Sequence, residues 1–138
     1  MTRALSFRER LAWSSLGGHV AVFLGYFLVV AKDGPTGGSA TAAAIVLAGL
    51  VVLTLAMRLA ARFEAPRDQA RPDEREHLID LKAARIAGLI TAVGASGVII
   101  MLLTGYSAVF AANIMLGTLV LAQMGADIAR ITHFKIGV

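Results

Sequence analysis

The sequence predicts an all-α membrane protein: four transmembrane helices arranged as two antiparallel hairpins. Three observations predict it. Apolar stretches at 11–31, 40–57, 83–104 and 107–126 fill most of the 138 residues. A helix rises about 1.5 Å per residue, so about twenty residues cross a hydrocarbon core of about 30 Å. Hydrophobic residues make up 57% of the chain, against about 45–50% in a soluble domain. Finally, twelve of the thirteen Lys and Arg residues fall before the first stretch, between the second and third or, for Arg85, at the entry to the third, or after the fourth. The positive-inside rule then places both termini and the 58–82 connector in the cytoplasm. Residues 1–138 read as one domain, with no room for a separate soluble domain.

The first stretch is a retained span rather than a signal peptide. Its apolar run is too long for an h-region, and Ala31-Lys32-Asp33 lacks a small-x-small cleavage pattern. The following turn, Lys32-Asp33-Gly34-Pro35-Thr36-Gly37-Gly38-Ser39, is rich in helix breakers. The turn Thr104-Gly105-Tyr106-Ser107 closes the second hairpin still more tightly. In the connector, Pro66 and Pro72 bracket an Arg-rich piece, and Asp73, Glu74 and Glu76 then supply acids where a helix N-terminus favours them. A helix starting near Pro72 is expected to run straight into span three.

Helices in lipid associate through close contact between small residues. Span three has two lanes of them, Ala83, Ala87, Thr91, Ala95 and Ala84, Gly88, Ala92, Ser96. Span one offers Ser14 with Gly18 and Ala21 with Gly25; span two offers Ala40, Ala44 and Ala48. The wide small face of span three predicts packing inside the bundle and, in addition, a homo-oligomer. The halves also look related: Arg8-Glu9-Arg10-Leu11 parallels Arg75-Glu76-His77-Leu78, and Ala42-Ala43-Ala44-Ile45 parallels Ala111-Ala112-Asn113-Ile114. This reads as a parallel internal repeat, or as chance similarity between Ala-rich segments.

Composition removes several functions. There are no cysteines, which excludes disulfides, thiolate nucleophiles and Cys-based metal sites. The net charge of +4 is a topology signal, so no nucleic-acid partner is expected. No H-E-x-x-H, G-x-S-x-G or phosphate-loop pattern occurs. No enzyme activity, cofactor or metal is expected.

Ionisable and amide groups inside a span are costly and therefore candidates for function. They are His19 in span one, and Asn113, Gln123 and Asp127 in span four. Each also has a structural reading as a partner for a neighbouring helix. Asp127 is placed to pair with Gln123 at i,i+4 and with Arg130 at i,i+3, giving a salt bridge at the membrane surface. At the connector, Asp73, His77 and Asp80 fall on one helical face, as a solvated charged face or a weak divalent-metal trio. Lys82 and Arg85 enter span three where basic side chains reach back to headgroups.

The run Asp73-Glu74-Arg75-Glu76-His77-Leu78-Ile79-Asp80-Leu81-Lys82-Ala83-Ala84-Arg85 resembles a group of small uncharacterised bacterial four-span inner-membrane proteins. Their pattern is Asp-Glu-Arg, then a Lys and an Arg three apart entering span three. The opening Ser6-Phe7-Arg8-Glu9 and Trp13 are also similar. The resemblance implies a bacterial inner (cytoplasmic) membrane. Some such proteins are encoded beside small helix-turn-helix regulators, which implies a regulatory role; no active site comes with it. The expected function is therefore a non-enzymatic interaction or regulatory protein, acting on a cytoplasmic protein partner through its connector. The alternative is a small oligomeric channel or transporter with a polar path past His19 and Asn113.

Overall fold

A computed structural model describes residues 7–33, 45–49, 51–56, 59 and 74–136. Among them are four helices and no strand: α1 (Phe7–Asp33), α2 (Ile45–Ala56), α3 (Glu74–Leu103) and α4 (Ala108–Ile136). Two are long and apolar enough to cross a membrane, α3 with a mean hydropathy of 2.4 and α4 with 1.6. α3 starts nine residues before the predicted span and runs without a break to Leu103. The last nine residues of the connector are thus helical, as its acid-rich stretch predicts. α4 extends ten residues beyond the predicted end of span four, carrying Asp127 and Arg130 inside the helix rather than at its tip. Residues 60–73 of the connector and 34–44, with the Gly-rich outer turn and Ala42-Ala43-Ala44 of the repeat, lie outside the described residues.

The α3–α4 turn follows from local chemistry. The N–H of Tyr106 donates to the Met101 carbonyl at 3.0 Å and that of Gly105 to Leu102 at 3.2 Å, a Schellman closure. It needs a left-handed residue, supplied by Gly105 at φ +90°. Ser107 then caps α4, its Oγ accepting from the Phe110 N–H at 3.2 Å. Two helix ends are satisfied within four residues, so the helices return antiparallel.

α4 is the central helix and packs on both α3 and α1. Its small side faces α3, where Ala126 and Ala129 close on Ala83, with Ala87 beside them. Nearer the turn, a Cβ on Gly94 would collide with the Thr118 side chain. The two lanes of span three part company. Ala83, Ala87, Thr91 and Ala95 are buried or half-buried, whereas Ala84, Gly88, Ala92 and Ser96 are exposed. Much of the rest of α3 faces outward as bare hydrocarbon, including Leu89, Val93 and Leu103, a surface that water would not tolerate on a monomer. α1 meets α4 along a seven-residue stripe, Ala12, His19 and Tyr26, all buried. α2 reaches α1 through Leu53, which sits against Gly18 at 3.0 Å from where a Cβ would be.

Candidate functional site

The same stripe carries polar groups. Residues eight, twelve, fifteen and nineteen of α1 recur at three- and four-residue intervals, so Arg8, Ser15 and His19 project from one face. α4 presents Asp127 and Arg130 to it, one turn apart, and α3 adds Glu76 and Asp80, also one turn apart.

Asp127 is the hub. Its Oδ2 accepts from Ser15 Oγ at 2.8 Å and lies 3.0 Å from His19 Nδ1. Its Oδ1 accepts from Arg130 Nη1 at 2.9 Å. Only 1% of Asp127 and 3% of His19 are exposed. A carboxylate only accepts, so Nδ1 carries the proton in this contact, and a neutral ring then keeps its lone pair on Nε2. That Nε2 is buried and has no hydrogen-bond partner among the described residues.

From Asp127 the ion pairs step outward. Arg130 Nε donates to Asp80 Oδ1 at 3.0 Å. Asp80 Oδ2 lies 3.7 Å from Arg8 Nη1, and Arg8 Nε pairs with Glu76 at 3.0 Å. The network runs from two nearly dry groups to side chains more than a quarter exposed. Beside it is a cavity of about 270 Å³. Its polar wall includes Arg8, Ser15, His19, Asp80, Asp127 and Arg130; Leu11, Ala12 and Phe134 give it an apolar side.

Ser15, His19 and Asp127 are the residue types of a hydrolytic triad, but their arrangement is different. A triad serine sits at the imidazole nitrogen opposite the one facing the carboxylate. Here Ser15 lies on the Nδ1 side, 3.4 Å from that nitrogen, and gives its proton to Asp127. His19 cannot draw a proton from Ser15 through Nε2 in this geometry.

Residues 9–135 match the family described as Predicted membrane protein (DUF2178). The match covers nearly the whole chain. The chain belongs to this family. Comparison with curated proteins and with solved structures gave no match. The charge network of this DUF2178 chain, from Glu76 to Arg130 and from Arg8 to His19, falls wholly within the matched region apart from Arg8.

The structure sorts the residues singled out by sequence. Asp127 makes its expected pair with Arg130, but as a buried group bound to His19 rather than a surface salt bridge. His19 does not meet Asn113. Asn113 lies fourteen residues from Asp127, where its backbone carbonyl accepts from Tyr26 Oη at 3.4 Å and its buried Nδ2 has no partner among the described residues. Gln123 is exposed by residue yet lines the cavity. The predicted connector motif divides: Glu76 and Asp80 turn toward α1, while Glu74, Arg75, His77 and Arg85 are exposed and Lys82 is half-buried. Asp73 lies outside the described residues, and no three metal-binding side chains converge among those described. Sequence reasoning missed Arg8, Ser15 and Arg130 as site residues. The signal available was the spacing of seven between Arg8 and Ser15, matched by Ala12 and His19 on the same helix.

Proposed function

We propose that this protein is a non-enzymatic, proton-linked transporter of small solutes in the bacterial inner membrane. The observation that carries the reading is the buried His19–Asp127 pair in the wall of a cavity. Ionisable groups within apolar helices are expensive and mark ion or proton pathways. An imidazole hydrogen-bonded to a carboxylate can take up and release a proton. The outward steps Arg130, Asp80, Arg8 and Glu76 support a path between that pair and one end of the bundle, which the distribution of Lys and Arg assigns to the cytoplasm. The exposed lane Ala84, Gly88, Ala92, Ser96 supports a homo-oligomer, since small residues admit the helix of a second copy. The path expected past His19 and Asn113 is replaced by one past His19 and Asp127. Interaction through the connector rests on 73–85, of which Glu74, Arg75, His77 and Arg85 are exposed and Asp73 lies outside the described residues.

The test is proton flux in liposomes loaded with a pH-sensitive dye and driven by a potassium diffusion potential. The wild-type protein is expected to acidify the lumen faster than protein-free liposomes. His19→Ala and Asp127→Asn are expected to fall to the protein-free rate. A wild-type protein that moves no protons, with or without small solutes present, ends the reading.

A further inference from the structure

We propose that Lys82 and Arg85 form a binding site for an anionic phospholipid on the outer face of α3, with the phosphate held by the two cations and an acyl chain along the apolar row beneath them. The inference is independent of the transport reading.

The charges come first. Arg8 and Arg130 both answer carboxylates, whereas no ion pair or hydrogen bond reaches Lys82 or Arg85 among the described residues. Local sequence explains the difference. Helical neighbours stand three or four residues apart, and no acid occupies those positions on either side of Lys82 or Arg85. Glu76 and Asp80 turn the other way, toward Arg8 on α1. Arg85 is exposed and Lys82 half-buried. Two like charges are thus left side by side at i,i+3, which is unfavourable until an anion joins them.

The second observation is their depth. From Ile86 to Leu103, α3 carries no charged residue. These eighteen residues span about 27 Å at about 1.5 Å each, close to the hydrocarbon core of about 30 Å. With the α3–α4 turn at one boundary, Arg85 lies at the other and Lys82 about 4.5 Å beyond it, the level of headgroup phosphates. Below them on the same face run Leu89, Val93 and Ile100, each at least 61% exposed. Cations continuous with bare hydrocarbon fit a molecule that is anionic at one end and apolar along its length. An acidic protein in water would meet the cations but not this row.

The donors select among lipids. A guanidinium offers paired N–H groups to two oxygens of one phosphate, and an ammonium adds a point charge. A zwitterionic lipid brings its own cation to the site, so an anionic lipid gains more there. Arg75 gives an internal comparison. It shares this face but stands about 15 Å further out than Arg85, beyond a Debye length of about 8–10 Å.

Fluorescence quenching by brominated lipids tests this. Trp13 is the one tryptophan of the chain, so the full chain carrying Trp13→Phe and Leu89→Trp has a single indole, placed at the site. It is reconstituted in vesicles of mixed phosphatidylcholine and phosphatidylglycerol, with one or the other lipid dibrominated in its acyl chains. Phosphatidylglycerol is expected to be preferred beside the indole by about fivefold or more, the effect of one Lys or Arg at a membrane surface being about fivefold. Adding Lys82→Gln with Arg85→Gln is expected to bring the two lipids to parity. Arg85→Gln alone, at an exposed position, is expected to lower the preference and serves should the pair not fold. Arg75→Gln is expected to leave the preference unchanged. Equal quenching by the two lipids, or a preference that survives loss of both cations, overturns the proposal. So does an equal fall with Arg75→Gln, which would mark a diffuse surface field, and so does an indole that neither lipid quenches, which would mark a second copy on this face.

Discussion

Arg130 and Arg8 carry the same charge and touch the same carboxylate, yet they are not equivalent. Arg130 holds Asp127, whose side chain is 2% exposed, whereas Arg8 joins Glu76 and Asp80, at 29% and 47%. Removing one partner of a buried pair leaves an uncompensated charge and costs about 3–5 kcal/mol. Arg130 is itself about a third exposed, so Arg130→Met is expected near the low end, about 3 kcal/mol. Arg8→Met removes a surface-type contact and is expected to cost at most about 1 kcal/mol. Reversible unfolding of the purified protein in mixed micelles reads both. Equal losses for the two variants would show that burial does not grade the network.

Helix pairing between α3 and α4 depends on position along the helices rather than on composition. Gly94 has the Thr118 side chain where a Cβ would go, whereas Gly88, less than two turns away, has nothing within 4 Å. Gly94→Leu is expected to separate or shift the helices and cost about 1–3 kcal/mol or more by overpacking. Gly88→Leu is expected to leave the thermal stability of the protomer within about 0.5 kcal/mol of wild type. A Gly88 variant as damaged as the Gly94 variant would place the α3–α4 contact on the wrong face. The elements themselves were legible from sequence. The breaker at Gly105, the Ser107 cap, the acidic start of α3 and the i,i+3 pair Asp127–Arg130 are all local, and each forms. The α1–α4 pairing was not legible. His19 and Asp127 are 108 residues apart, and which polar groups meet depends on how α1 is rotated about its axis. Sequence put His19 with Asn113 on a polar path and Asp127 in a salt bridge at the membrane surface. The rotation of α3 likewise turns Asp80 toward α1 and leaves His77, three residues earlier, exposed, which separates the two described members of the trio inferred from spacing alone.

At the scale of the whole molecule, the Arg–carboxylate pairs among the described residues gather at one end of the bundle. The start of α1, the start of α3 and the end of α4 meet there. Arg8 pairs with Glu76, Arg130 with Asp80, and Lys135 Nζ lies 5.3 Å from the Trp13 ring. An aromatic ring beside a lysine is the composition of a membrane–water boundary. The opposite end, at Thr104–Ser107, has Tyr106 stacked on Phe110 at 5.8 Å, and Lys32 at the end of α1 is its one basic residue among those described. A bilayer placed between these ends leaves α3 able to meet lipid along its exposed side, and puts the cavity, lined by Arg8, Asp80 and Arg130, toward the basic end. The orientation proposed from the distribution of Lys and Arg puts the basic end in the cytoplasm. Because the chain has no cysteine, single cysteines report this without background. Tyr106→Cys and His77→Cys sit at opposite ends, and both positions are exposed. In intact bacterial spheroplasts, a membrane-impermeant maleimide is expected to label Tyr106→Cys and to label His77→Cys only after permeabilisation. The reverse pattern would invert the protein. It would also place the charged end of the network on the outer side of the membrane, so the direction of the proposed proton movement would invert with it.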